Sequence, residues 1–326
     1  MTRREFAARL LNGVRTANYW LTAQAVFALL AILERLPADG ALNFVDRMAR
    51  RIGPWTGRHG VALDNLRQAY PEKTEEEREA IARDMWGNMA RLTAEYVFIE
   101  RLFDFDPAAT TPGRVEVVGE EIFIRLRAEE KPHIFFTAHM GNFELLPIAA
   151  ASFDLDLTAL FRAPNNPYLA GRLARRRSAN MGNLLASRTG VAFTLARILE
   201  RGGNIGMLVD QHFTRGLETT FFGRPCESSP LLPKLARQYE CDVYPARCIR
   251  LPGNRFRLEV FEKIELPRNP RGEVDPAATA QILNDVVEGW VREHPGQWMW
   301  FHKRWKFRQR KPVAPKKQAA GPDQRP

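Results

Sequence analysis

The residues with the most chemical potential lie in IFFTAHMGNFELL, positions 134–146. An apolar run ends at His139, Gly141 permits a tight turn, and Phe143 to Leu146 have the pattern of a first helical turn. His139 is therefore expected in a loop at the carboxyl edge of a sheet, where α/β proteins bind ligands. Within one helix, the five-residue separation of His139 and Glu144 would set them about 140° apart, so they can meet only if the histidine precedes the helix. Glu144 is then expected to accept a hydrogen bond from one imidazole nitrogen, leaving the other free as a base, and to stabilise the imidazolium that forms. That chemistry suits removal of a proton from an alcohol attacking a thioester. The backbone amides of Gly141 and Asn142, near the helix N-terminus, are expected to steady the tetrahedral oxyanion. A histidine and a glutamate at this spacing are equally compatible with a structural histidine. The order strand, His, Gly, Asn, aromatic, Glu is more specific.

The elements that must hold these groups follow from periodicity. Residues 1–15 carry Arg3, Arg4, Arg9 and Arg15, and the stretch from Ala17 to Leu33 carries no charge. Residues 1–37 therefore form an N-terminal helix expected to anchor in a membrane, either spanning it or lying in its interface, with burial in the core as the alternative. No small-residue cleavage site marks a signal peptide. From 38 to 104 the spacing is helical and amphipathic, with a capping signal at Thr74 followed by Glu75, Glu76 and Glu77. After a proline-bearing loop, the region 113–307 alternates short apolar runs (115–118, 133–137, 157–161, 205–209, 243–249) with helical patterns (120–129, 144–152, 231–239, 275–293). This alternation predicts an α/β fold with a mostly parallel central sheet flanked by helices. A hairpin partner at 255–261 forms its antiparallel edge. Residues 308–326 are basic, proline-rich and expected to be a disordered tail.

Composition narrows the setting. The chain has 326 residues, 45% of them hydrophobic, and a formal charge of +10, which draws it to anionic lipid, an acidic protein or nucleic acid. Cys226, Cys241 and Cys248 stand in no short paired spacing and are expected to be buried, reduced thiols of a cytoplasmic compartment. Trp298, Trp300 and Trp305 alternate with basic residues, a pattern that fits a membrane interface, single-stranded nucleic acid, or core packing. His133 sits within a strand and is expected to be structural.

HMGNFE resembles the His-x-x-x-x-Glu/Asp signature of the lipid A late acyltransferases, the lauroyl and myristoyl transferases acting on a lipid A precursor. Further blocks match that family in order. FRAPNNP (161–167) is similar to its aromatic-Arg block ending in Asn-Pro, with Arg162 and Asn166 in the matching places. RRRSAN (175–180) falls at its Arg-Ser element, where either Arg176 or Arg177 is the matching arginine. GGNIGMLVDQHF with FFG (202–213, 221–223) looks like its strand ending in an aspartate, here Asp210. PGQWMWFHKRWK (295–306) resembles its closing block. Phe161 departs from the commoner Tyr.

The resemblance implies a glycerol-phosphate-acyltransferase-like fold and acyl transfer from acyl carrier protein to a hydroxyl of a Kdo-bearing lipid A precursor. The site would lie on the cytoplasmic side of a bacterial inner membrane. His139 would be the base and Glu144 its partner, while Arg162, Asn166, Arg176, Arg177 and Asp210 would hold the substrates. No metal or bound cofactor and no nucleic acid would be required, since phosphopantetheine arrives with the donor. A hydrophobic pocket, shared by the N-terminal helices and the sheet, would set acyl chain length. Rivals are acylation of another glycolipid or phospholipid, a metal-dependent hydrolase using His139, Glu144, Asp210 and His212, and a non-catalytic membrane- or nucleic-acid-binding protein. Absence of a Gly-x-Ser-x-Gly elbow speaks against a serine acyl-enzyme.

Overall fold

The capping signal at Thr74 closes as a reciprocal pair in the computed structural model: the Glu77 amide donates to the Thr74 hydroxyl at 3.2 Å, and the Thr74 amide donates to the Glu77 carboxylate at 2.7 Å. This starts the last helix of the helical subregion. The structure describes residues 3–106, 113–162, 166–171 and 182–306, so Arg176, Arg177 and the expected tail 308–326 lie outside the described residues. The subregion comprises α1 (Arg3–Glu34), α2 (Ala38–Ile52), a 3-10 turn (Gly53–Trp55), α3 (Gly57–Ala69) and α4 (Glu75–Leu102). Leu33 of α1, Ala41 and Leu42 of α2, and Ala94, Phe98 and Leu102 of α4 form its shared core. Within α1, Arg9–Glu34 is long and apolar enough to cross a membrane, and only a narrow face of it, including Ala23 and Leu33, is buried.

Beyond residue 113 the chain runs β1 (Val115–Val118), α5 (Glu120–Arg127), β2 (His133–Thr137), α6 (Leu145–Ser152), β3 (Leu157–Phe161), β4 (Asn183–Ala186), α7 (Val191–Glu200) and β5 (Asn204–Leu208). A separate hairpin of β6 (Leu217–Phe221) and β7 (Arg224–Ser228) follows, then α8 (Leu231–Tyr239), β8 (Asp242–Leu251), β9 (Arg255–Val260) and α9 (Pro276–Glu293). The main sheet has the order β1-β9-β8-β2-β5-β3-β4, and every neighbouring pair is parallel except β8–β9. This is the expected mostly parallel sheet flanked by helices; its antiparallel strand β9 is not the expected edge, because β1 pairs with it on its far side.

Both faces of β2 are buried, which is why its sequence is a continuous apolar run rather than an alternation. Ile134 and Phe136 join the core beneath α3, α7, α8 and α9, while Phe135 joins the opposite core with Phe123, Leu145 and Phe256. His133 opens the strand fully buried, with Nδ1 2.9 Å from the Asn204 side-chain oxygen and Nε2 3.2 Å from Glu129. It is the structural histidine expected. All three cysteines are free and buried.

Candidate active site

Adjacent parallel strands set the centre of the site. In the β2–β5 register Thr137 faces Leu208, and the Val209 amide extends the ladder by donating to Thr137 at 3.1 Å. Two residues beyond that pair, the same offset of 71 brings His139 opposite Asp210 at the carboxyl edge of the sheet. The Asp210 carboxylate accepts from His139 Nδ1 at 2.7 Å, from the His139 amide at 2.9 Å and from the Trp298 indole N–H at 2.8 Å. Burial alone would push this carboxyl upward. The imidazole's charge and hydrogen bonds, with the help of Trp298, outweigh burial and lower it to about 2. An ionised carboxylate on Nδ1 keeps the proton there and leaves the lone pair on Nε2. The Gln211 side-chain nitrogen lies 3.2 Å from that Nε2 and donates to it. Phe143 meets the imidazole edge-on, with ring centroids 5.2 Å apart.

The carboxylate on the imidazole is thus Asp210, where the sequence pointed to Glu144. The reason is topological: a parallel neighbour in register delivers a carboxylate to Nδ1 from the next strand. Glu144 stands immediately before α6 and lines the mouth of an apolar pocket.

The loop joining β2 to α6 is built by long-range contacts. Gly141 adopts φ +55°, and a Cβ there would come within 2.0 Å of the Cys248 carbonyl oxygen, so only glycine lets the loop lie this close to β8. The Gly141 amide donates to the Gln297 carbonyl at 3.1 Å, and the Met299 amide to the His139 carbonyl at 3.2 Å. Of the two amides expected to form an oxyanion hole, that of Gly141 is therefore committed to a protein acceptor. The Asn142 side chain donates to Glu95 at 2.9 Å. Glu95 is fully buried and paired with Arg250, whose Nε donates to Asn88 at 2.9 Å. Gln297 grips the backbone of Arg250 on both sides, accepting at 2.7 Å and donating at 2.9 Å. Glu95, Arg250, Gln297 and Gln211 have no individual signal in the sequence. Gln297 at least lies in the closing block.

That block is interior. Trp298 and Trp300 are buried edge to face, with centroids 4.7 Å apart, and the Trp305 indole donates to the Phe221 carbonyl at 2.9 Å. Arg304 is buried and donates to the Glu227 carbonyl, Ser228 and Asn284. Of the readings the tryptophan–basic alternation left open, core packing is the one that Trp298, Trp300 and the buried Arg304 follow, while Lys303 and Lys306 are exposed. Asn166 also differs from expectation. It is buried, caps the helix that begins with Pro167 by accepting from the amides of Tyr168 and Leu169, and donates to the Tyr19 carbonyl of α1 at 2.7 Å. Arg162 follows β3 at the sheet edge that carries His139, with its side chain exposed.

Near His139, whose ring packs on Phe143, lies an apolar pocket that Phe143 and Glu144 also line. Phe135, Leu146, Leu157, Phe161 and Met207 wall it between α6 and the strands β2, β3 and β5, and among the described residues none from the N-terminal helices lines it. His212 and His302 are both held below the ordinary histidine range, chiefly by burial. Among the described residues no group of three or more His, Cys, Asp or Glu is arranged to hold a metal ion.

Comparison with known proteins accords with this geometry. The chain is 27% identical over 323 residues to a lipid A biosynthesis myristoyltransferase of Escherichia coli, covering 96% of this chain and 95% of that one. It is equally similar, with the same coverage, to lipid A biosynthesis acyltransferase 1 of Shigella flexneri. With a lipid A biosynthesis acyltransferase of Haemophilus influenzae it shares 24% identity over 87% of its own length and 86% of the relative's. Residues 9–307, which include the His139–Asp210 pair, the pocket wall and the closing block, match the family described as bacterial lipid A biosynthesis acyltransferase, and the chain belongs to that family.

Proposed function

We propose that the protein transfers a fatty acyl chain from the thioester of acyl carrier protein to a hydroxyl of a Kdo-bearing lipid A precursor, at the cytoplasmic face of a bacterial inner membrane. The observation that carries this reading is a His–Asp pair whose imidazole packs on Phe143, a residue that lines an apolar pocket at the same sheet edge. The acyl chain lies in the pocket with its thioester carbonyl near Nε2 of His139. As the acceptor hydroxyl approaches, it takes the place of Gln211 on Nε2 and gives up its proton there. Its oxygen bonds to the carbonyl carbon, and Asp210 stabilises the imidazolium. The carbon–sulfur bond then breaks, the carbonyl re-forms, and the imidazolium returns the proton to the departing pantetheine thiolate. With the Gly141 amide engaged by Gln297, the freed Gln211 side-chain amide donates to the developing oxyanion. Arg162, with Arg176 or Arg177, receives anionic groups of the acceptor. Glu144 positions the substrate at the pocket mouth.

The test is an assay of the detergent-solubilised protein with acyl carrier proteins bearing different chains and a tetra-acylated, Kdo-bearing lipid A precursor. Product formation that falls on His139→Ala, with the fold intact by circular dichroism, supports the proposal. Acylation of other glycolipids or of phospholipids alone removes the acceptor assignment, and no transfer from any acyl carrier protein removes the donor.

A further inference from the structure

The helix α2 has one face built into the domain and another with no partner. Ala41 and Leu42 are buried against Leu33 and Phe98, whereas Phe44 is 54% exposed, Ile52 44% and Trp55 84%. Phe44 and Ile52 recur at helical spacing, and Trp55 continues beyond them on the 3-10 turn. Arg47, Arg51 and Arg58 interleave with them, all exposed. Among the described residues no ion pair engages any of the three, although Arg50, Arg91 and Arg114, also in or near this subregion, all meet carboxylates. Ile32 and Leu36 are exposed as well, immediately before α2 begins. Large apolar side chains projecting beside unpaired arginines are what an anionic bilayer surface receives, with the indole at head-group depth and the guanidinium groups on lipid phosphates.

We infer that α2 is a second membrane-contacting element, lying in the plane of an anionic bilayer and seating the catalytic domain through Phe44, Ile52 and Trp55. This rests on the membrane-bound reading above and deepens it: α1 anchors the chain, and α2 fixes how the domain stands on the surface. The occupant is lipid rather than the acidic carrier protein because the most exposed groups are aromatic and aliphatic. The arginines flank an apolar stripe, so hydrocarbon burial and contact with lipid phosphates are offered side by side.

The experiment places an environment-sensitive fluorophore on Trp55→Cys in the full chain. The native thiols are buried, and burial pushes those of Cys241 and Cys248 up to about 12, so labelling goes to the introduced residue. Arg271→Cys, in an exposed turn, gives the aqueous reference. In anionic vesicles the label at 55 should shift to the blue and be quenched by lipids brominated near the head group. At about fivefold per arginine, replacing Arg47, Arg51 and Arg58 with Gln should weaken that seating on the order of a hundredfold and return the emission toward the reference. Emission matching the reference in anionic vesicles overturns the inference. So does a shift produced only by adding acyl carrier protein in detergent. Acyl transfer measured on the same labelled samples separates the two proposals: activity without a shift sinks the seating alone, and a shift without activity sinks the reaction alone.

Discussion

Replacing Asp210 by Asn would test the proposed relay most directly, because it keeps the shape and removes the charge. The carboxylate accepts three hydrogen bonds, from His139 Nδ1, the His139 amide and the Trp298 indole. An asparagine offers one acceptor oxygen and one N–H₂ in their place. If the oxygen stays with the amide and the indole, both on the second carboxylate oxygen, the N–H₂ faces Nδ1. That forces the ring to accept there and moves its proton to Nε2, where the base must be empty. Loss of the charge adds a second penalty: opposite unit charges about 4 Å apart at a protein-surface dielectric attract by about 4 kcal/mol, worth about a thousandfold in rate. Together with the tautomer change, Asp210→Asn should lower kcat by roughly 10³- to 10⁴-fold with little change in KM for either substrate. The assay is initial-rate acyl transfer in detergent with a saturating lipid acceptor, alongside Glu144→Gln. Retention of more than about a tenth of wild-type activity by Asp210→Asn, with collapse in Glu144→Gln, would refute the reasoning and return the relay to Glu144.

Other expectations follow from the same geometry. The Asp210 carboxyl, lowered from 3.8 to about 2, contributes stability that is complete above about pH 4 and lost as pH falls through about 2. The excess stability of wild type over Asp210→Asn, on the order of 2 kcal/mol in urea titrations near pH 5, should therefore shrink toward pH 2. Glu95→Gln leaves the Arg250 guanidinium buried without its counter-charge and frees the Asn142 side chain, so it should cost about 3–5 kcal/mol in denaturant unfolding. Ala159→Leu adds bulk to the pocket wall and should move donor preference toward shorter acyl chains, with about 0.8 kcal/mol, or roughly fourfold, lost per methylene that no longer fits. Competition between acyl carrier proteins of graded chain length reads this out.

The fold was legible wherever burial imposes a pattern. Continuous apolar runs marked β2, β5 and β8 because both of their faces are covered, and the Thr74–Glu77 box marked the start of α4 because two side chains satisfy each other's amides. The elements without such a pattern were missed. β4 is only Asn183–Ala186, and the β6–β7 hairpin mixes exposed Glu218 and Thr220 with buried Thr219 and Phe221. At the site, His139 was legible from its strand and glycine, and Asp210 as the end of a strand. Their contact was not, because spacing along the chain favoured the nearer carboxylate of Glu144. What joins residues 71 apart is the pairing of β2 with β5, a property of strand order that no local window contains. The closing block stayed ambiguous for a related reason: tryptophans among basic residues look the same whether they face lipid or each other, and the packing of Trp298 on Trp300 and the burial of Arg304 decide for those residues.

The register of β2 on β5 also says where this scaffold tolerates revision. His139 and Asp210 leave their strands side by side, and the chain between them returns to its starting edge after making α6, β3, β4 and α7. The excursion from α6 to α7 supplies much of the pocket wall and Arg162, while the distance between His139 and Asp210 is set by the β2–β5 ladder that closes it. Evolution can therefore lengthen, shorten or reshape the excursion, trading one acyl chain or acceptor for another, while the proton-handling pair stays in place. The interval behaves as an exchangeable cassette clipped into a permanent frame, and grafting it between relatives should transfer substrate choice without rebuilding catalysis.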